Sequence, residues 1–476
     1  MMIKLSPPTQ VIDILNKFSE AKYEIYIVGG VVRDALLGKE LYDWDFTTNA
    51  TPEQILELVP RCLPAGRQGF YDNKFGTVGI KNEDGRPYEI TTYRTEENYT
   101  DNRHPDKITW GKTLQEDLLR RDFTINAFAL RYSALPAGRQ VLGDRSSVFE
   151  LVDLHNGLED LENKLIRAVG DPNERFTEDA LRMLRAIRIA SQLGFTIEQA
   201  TMQAIQANAG KIRHISAERI HDELLKMFAS NYPADGYLLL HNSGLGQEIL
   251  PEMETTFGVE QKSPGRHHIF DVGTHSVESL RNCESTDPIT RFATLIHDAG
   301  KVKTQRISTD GKITFYNHEM ESAKIALKIA DRLRFSNAEK DKFVKLVRWH
   351  QFTVDERQTD SAIRRFIRNI GLENVADMIS LRVGDRLGGG ARATSWRLEE
   401  YKARIIEVQQ QPFSVQDLKI SGRDVMEIKK ITPGPQVGKY LQKIFEKVEK
   451  GEVKNEREEL LALLLPHCQQ GSGIKN

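Results

Sequence analysis

Asp43 and Asp45 lie two apart in Tyr42-Asp43-Trp44-Asp45, shortly after a glycine pair, Gly29-Gly30, and Arg33. Side chains two apart on a strand share a face. Two carboxylates so placed can hold one or two Mg²⁺ ions and, with them, a nucleoside triphosphate. A glycine pair lets the backbone pass close to a ligand with its N–H groups toward phosphate oxygens. The elements needed to position these groups are legible around them. The apolar run Ile25–Val28 reads as a buried strand. Val31–Leu37 reads as a helix with Arg33 in its first turn and Gly38 as its stop. A second strand is expected to carry both Asp43 and Asp45. Alone, a Gly-Gly is an ordinary turn and an Asp-x-Asp an ordinary strand end; their order and spacing give the specificity.

Three further constellations follow. Phe75–Ile80 and Tyr88–Tyr93 read as paired strands around Glu83-Asp84-Gly85. They bring in Glu89, either a third carboxylate on the metal side or a structural partner for Arg94. In Glu116–Ala129, Arg121 offers fixed donors to phosphates and Asp122 an acceptor for ribose hydroxyls. Thr177-Glu178-Asp179 reads as the start of a helix, which would place Asp179 and Arg182 on one face. An acid beside a guanidinium matches the exocyclic amine and adjacent ring nitrogen of cytosine and adenine, and mismatches uracil and guanine. The ordinary alternative is a surface ion pair.

The string G-G-x-x-R-D followed by D-x-D resembles the signature of the polymerase-β-like nucleotidyltransferases. More narrowly, it resembles the bacterial CCA-adding and poly(A) polymerase branch, the tRNA nucleotidyltransferase family. R-R-D-F-T-I-N-A and E-D-x-x-R, within DPNERFTEDALRMLRAIR, are similar to further motifs of that family. The resemblance implies an α/β head with a mixed sheet and flanking helices, followed by all-α neck, HD and tail domains. It also implies nucleotide contact by Arg185 and Arg188, and a loop at Arg94–Trp110 that helps switch nucleotide choice. Its expected activity is template-independent addition of C, C and A to the tRNA 3′ end from CTP and ATP, with Mg²⁺. A CC-adding, A-adding or poly(A)-polymerising enzyme is the nearest alternative. A phosphohydrolase with an RNA-positioning head, or a non-catalytic RNA-binding protein, are alternatives of another class.

His275, His297-Asp298, His318, His350 and Asp385 fall within the stretch 261–390. A buried His-Asp pair in an apolar helix, read here as Arg291–Gly300, needs a partner or a metal. The order H…HD…H…H…D resembles the HD metal-dependent phosphohydrolases. That likeness implies an inner set of His275, His297, Asp298 and Asp385, with His318 and His350 completing a second site. Mixed N/O ligands suit Mn, Fe, Co, Ni or Mg.

A chain of 476 residues, 39% hydrophobic and 28% charged, is long enough for several cores. The expected division is a head at 1–147, a neck at 148–260, an HD domain at 261–390 and a tRNA-binding tail at 391–476. The net charge of −2 excludes a global basic field, so a nucleic-acid surface must be local. Lys439, Lys443, Lys447, Lys450 and Lys454 form the basic side of the tail, and a solvated helix face is the ordinary reading. The three scattered cysteines show no metal or disulfide spacing. With no signal pattern at the N-terminus and no long apolar run, a cytoplasmic location without membrane contact is expected. The hexapeptide LPAGRQ occurs at Leu63–Gln68 and Leu135–Gln140, and is expected to be an insertion in two exposed loops.

Overall fold

The run Ile25–Val28 is buried at all four positions, as a strand covered on both faces must be. The computed structural model describes residues 1–62, 69–72, 76–81, 87–97, 107–132, 147–261, 270–309, 311–352, 354–355, 357–409 and 415–465. Of these, 60–62, 69–72, 81, 95–97 and 107–109 are described as backbone only. Both LPAGRQ copies and the Glu83–Gly85 turn lie outside the described residues. The chain divides into two compact units, one of Met1–Phe257 with Ile329–Phe335, the other of Gly258–Lys328 with Ser336–Asn476.

In the first unit the strands are β1 (Met2–Leu5), β2 (Ile25–Val28), β3 (Asp45–Thr48), β4 (Gly69–Asp72), β5 (Thr77–Lys81), β6 (Pro87–Thr92), β7 (Arg94–Glu97), β8 (Lys107–Trp110), β9 (Phe128–Tyr132) and β10 (Ser147–Asp153). Eight of them form one sheet in the order β1-β10-β9-β2-β3-β6-β5-β4. The β3–β6 pair is parallel and its neighbours are antiparallel, so the sheet is mixed. Strands β7 and β8 pair antiparallel, so the ends of the expected loop at Arg94–Trp110 are strands instead. Their Thr and Trp content favours extended backbone.

Helix α1 (Thr9–Glu20) buries Val11, Ile14, Leu15 and Phe18, the stripe that the 3.6-residue period requires. Helix α2 (Gly30–Leu36) follows β2 directly, and Gly38 just beyond it takes φ +65°. Helix α3 (Pro52–Cys62) starts with Pro at its first position. Helix α4 (Leu114–Leu119) is opened by a capping box between Thr113 and Glu116. Then come α5 (Gly157–Glu162), α6 (Pro172–Glu178), α7 (Leu181–Leu193), α8 (Gln199–Asn208) and α9 (Ala217–Phe228). Ser216 occupies the N-cap of α9 without making a side-chain cap bond.

The second unit is largely helical, with small two-stranded pairing between Arg306–Ile307 and Ile313–Thr314. Among the described residues no helix is long and apolar enough to cross a membrane.

Candidate active site and candidate metal centre

The first unit holds a cavity of about 580 Å³ whose lining includes Gly29, Gly30, Arg33, Asp43, Asp45, Glu89, Arg121, Asp122, Arg182, Arg185 and Arg188. Residues from five separate stretches of sequence therefore meet in one place. Asp45 is the first residue of β3, and Glu89 stands opposite it in the parallel β3–β6 register. Asp43 precedes the strand, so the expectation that both aspartates ride one strand is corrected. The strand begins only at Asp45, which pairs with Val28, the last residue of β2 before Gly29 turns the chain away at φ +81°. Gly29 sits at φ +81°, where a side chain would be strained, and a Cβ there would lie 3.5 Å from Asp45 Oδ2 and Arg121 Nη1.

Burial pushes the Asp45 carboxyl up to about 7, with the nearby Glu89 and Asp43 charges adding to the rise and Arg121 opposing it. Carboxylates crowded in this way are the donor set that a hard divalent cation suits. A raised carboxyl pKa means that folding retains a proton between the ordinary value and about 7. The apo protein is therefore destabilised through this group as pH rises across that window. Mg²⁺ should accordingly raise the melting temperature more at pH 8 than at pH 5. In a thermal-shift titration the pH dependence of that gain should shrink in Asp45→Asn. An equal gain at both pH values in wild type would contradict the placement of the cation.

The basic side of the cavity is held by acids. Arg33 donates to Asp34 at 2.8–3.0 Å and to Asn126 Oδ1 at 2.7 Å. Asn126 in turn donates to Asp122 Oδ1 at 3.2 Å. Asp117, fully buried on α4, takes Arg120 at 2.6 Å and Arg121 at 3.2 Å. Burial pushes the Asp117 carboxyl up, but Arg120 and Arg121 outweigh it and hold it below the usual carboxylate range. The same holds for Asp122, where Arg185 at 2.8 Å and Arg182 outweigh the cost of burial. Arg188 pairs with Glu223 on α9 at 2.6 Å.

Asp179 and Arg182 do not share a helix. Helix α6 ends at Glu178, Asp179 is extended at φ −142°, and α7 begins at Leu181. The expected helix start at Thr177 is thereby corrected. Asp179 acts as a cap instead, accepting from the Leu181 amide at 3.0 Å, and it is paired with Arg219 at 2.8 Å. Arg182 donates to Glu178 at 2.7 Å and to the Arg120 carbonyl at 2.9 Å. Arg182 lines the cavity and Asp179 is not among its lining residues. Reading the sequence alone missed Asp117, Asn126, Arg219 and Glu223. The three- and four-residue spacings from Asp117 to Arg120 and Arg121 were an available signal. The 40 residues from Asp179 to Arg219 carry no local signal.

In the second unit, all six expected His and Asp residues converge. His275 Nε2 lies 3.3 Å from Asp298 and 3.2 Å from Asp385. His297 lies 3.3 Å from Asp298, and His318 3.2 Å. His318 and His350 face each other at 3.3 Å. The Nδ1 atoms of His297, His318 and His350 sit 2.6–2.8 Å from the backbone carbonyls of Thr294, Phe315 and Val347. Such bonds fix Nε2 as the ligating nitrogen. His297 and Asp298 lie just past the helix Pro288–Ile296, not inside it as expected. Burial pulls His297 down, but Asp298 and Asp385 outweigh it and push it up to about 10. A divalent cation would take the place of that proton. His275, His297 and Asp385 form one potential metal group, and His297, Asp298 and His350 a second that shares His297. Lys301, unremarked in the sequence, lies 2.6 Å from Asp298.

Three stretches match family models. Residues 25–167 match the poly A polymerase head domain, 194–257 the probable RNA and SrmB-binding site of polymerase A, and 312–464 the putative tRNA nucleotidyltransferase domain 2. A CCA-adding enzyme of Levilactobacillus brevis is 33% identical over 458 residues, covering 94% of this chain and 95% of that protein. The chain belongs to the CCA-adding enzyme family. A CCA-adding enzyme of Pediococcus pentosaceus is likewise 33% identical over 452 residues, with 95% of each chain covered. Among solved structures, the Bacillus stearothermophilus CCA-adding enzyme in complex with CTP aligns with a TM-score of 0.66 at 27% identity, covering 97% of both chains. The Thermotoga maritima enzyme complexed with tRNA shares the fold at a TM-score of 0.59 and 22% identity, covering 96% of this chain and 95% of that one. The family thus accounts for the nucleotidyltransferase head with its mixed sheet and the mostly helical remainder.

Proposed function

We propose that this CCA-adding family member completes the 3′ end of tRNA by adding C, C and A from CTP and ATP, in the cytoplasm. The observation that carries the reading is the single cavity in which carboxylates, phosphate-binding arginines and Arg182 meet. Asp43, Asp45 and Glu89 would hold Mg²⁺. When bound, the ion supplies Lewis acidity toward the attacking 3′-hydroxyl and the departing pyrophosphate. Arg33 and Arg121, pre-aimed by Asp34, Asn126 and Asp117, bind and orient the triphosphate. Asp122 accepts from the ribose hydroxyls. Arg182 donates to the ring nitrogen of C or A, and Asp179 accepts from the amine once it exchanges Arg219 for the base. Arg185 and Arg188 neutralise charge around the bound nucleotide. The protein's own side chains replace a template. The deciding assay uses tRNA that ends before CCA, given CTP alone, ATP alone, then both. Three added nucleotides with both and two with CTP alone support the reading; a stop after CC or A alone indicates a specialised enzyme.

A second activity is favoured by the six converging His and Asp residues of the other unit. His275, His297, Asp298 and Asp385, with His318 and His350, would hold a divalent metal such as Mn, Ni, Co or Fe. A metal there supplies a hydroxide for phosphoester hydrolysis. His297→Ala should abolish metal-dependent hydrolysis of a phosphodiester and leave tRNA extension intact; unchanged hydrolysis would contradict the assignment.

A further inference from the structure

Beside the His and Asp cluster lies a second cavity, of about 390 Å³, that neither activity above employs. Its size falls within the ~300–1,000 Å³ of small-molecule sites. Three guanidinium groups line it, from Arg382, Arg386 and Arg397, and among the described residues no carboxylate does. Arg382 and Arg386 are four apart on the helix Val375–Gly388, so they project from one face. Arg382 donates to Asp385 Oδ2 at 3.0 Å, and the other oxygen of Asp385 faces His275 at 3.2 Å. The wall of the cavity is therefore joined to the cluster through one carboxylate. Arg386 donates only to the Arg392 carbonyl among the described residues, at 3.1 Å. Arg397 lies over the Trp396 ring, 5.1 Å from its centroid, with no carboxylate partner among the described residues.

Arg382 is compensated by Asp385, but Arg386 and Arg397 have no carboxylate partner among the described residues, and these two concentrate positive potential on the concave wall. Guanidinium forks match phosphate oxygens better than any other side chain. Trp396 opens the helix Trp396–Val408 and lines the same cavity, yet is 61% exposed. A large ring left in water beside a phosphate-binding wall is suited to stack a nucleobase. Phe352 and Val354 give the remaining wall an apolar lining.

We propose that this cavity is a nucleoside monophosphate subsite, with the phosphate on Arg382, Arg386 and Arg397 and the base against Trp396. It extends the reading of the neighbouring cluster as a phosphohydrolase centre, since it would present a phosphoester beside the metal group.

GMP is the probe, because the base-reading pair of the first unit is expected to reject guanine. Calorimetric titration of the full-length protein should show GMP binding, competed by inorganic phosphate. Guanosine should bind about tenfold more weakly or worse, having lost the charge-assisted bonds. Arg386→Ala with Arg397→Ala should weaken GMP binding by about tenfold or more. Trp396→Ala should weaken it by about fivefold or more and remove the GMP-dependent fluorescence quench. Both variants should unfold in one cooperative transition within a few degrees of wild type, which reports that they fold. Wild type that binds no GMP, or arginine variants that bind it as wild type does, would overturn the proposal. Mn²⁺ binding followed by electron paramagnetic resonance, compared between wild type and His297→Ala so that only the cluster is read, separates the two readings. GMP binding without Mn²⁺ binding at the cluster leaves the subsite standing and removes the hydrolase. Mn²⁺ binding with GMP affinity indifferent to the arginines does the reverse.

Discussion

Asp45→Asn should lower the incorporation of both CMP and AMP into tRNA by about 10³-fold, without loss of fold. On its proposed role as a cation ligand, several kcal/mol of transition-state stabilisation are at stake, and each 1.36 kcal/mol is tenfold. The two additions should fall together, because the same cation would serve both. Stability should move the other way. Asp45 is half-buried opposite Glu89 and near Asp43, and its carboxyl is pushed up to about 7. The neutral amide removes that repulsion, so above pH 7 the apo variant should melt no lower than wild type. Initial rates with CTP and ATP, beside a melting curve, check both halves. Wild-type turnover of either nucleotide would remove Asp45 from the metal site.

The second large effect concerns choice of base. Arg182→Ala should lower kcat/KM for CTP and ATP by about 10- to 100-fold and weaken discrimination against UTP and GTP by a similar factor. One well-made bidentate contact to a base edge contributes about 1–3 kcal/mol of discrimination. Asp179→Ala should do the same through the amine contact. It should also cost stability, since Asp179 caps α7 at the Leu181 amide and pairs with Arg219. Arg219→Ala separates the two roles. It frees Asp179 from a 2.8 Å partner while leaving the side chains of Asp179 and Arg182, the proposed base readers, unchanged. Selectivity should then survive while KM for CTP shifts. Competition assays with mixed nucleotides give the ratios. An Arg182→Ala enzyme that still rejects UTP as wild type does would place base reading elsewhere.

Much of this site was legible in the sequence where local spacing carries the chemistry. Gly29-Gly30, Arg33, Asp43, Asp45, Arg121, Asp122 and Arg182 line the one cavity, and the buried run Ile25–Val28 is the strand that its composition demands. Errors came where tertiary contacts override local pattern. Acidic residues at Glu178 and Asp179 look like a helix start, yet they end α6 and cap α7, because Arg175 and Arg182 hold Glu178 from both sides. His297-Asp298 reads as helix interior from its apolar neighbours, yet the helix stops at Ile296 and the next one starts at Lys301. The polar stretch after Tyr93 lacks periodicity, but Arg94–Glu97 finds its partner at Lys107–Trp110 across residues no local pattern connects. Arg219 and Glu223 were invisible for the same reason. They act through side chains 35 or more residues away, on Asp179 and Arg188.

A crystal structure of this protein with Mg²⁺, CTP and a tRNA ending before CCA would show whether one nucleotide joins the carboxylates to Arg182. One CTP should span the cavity, its triphosphate beside Asp43 and Asp45 with the cation they would hold, and its cytosine edge on Arg182 and on an Asp179 released from Arg219. A cytosine bound away from Arg182, with Asp179 still paired to Arg219, would contradict it.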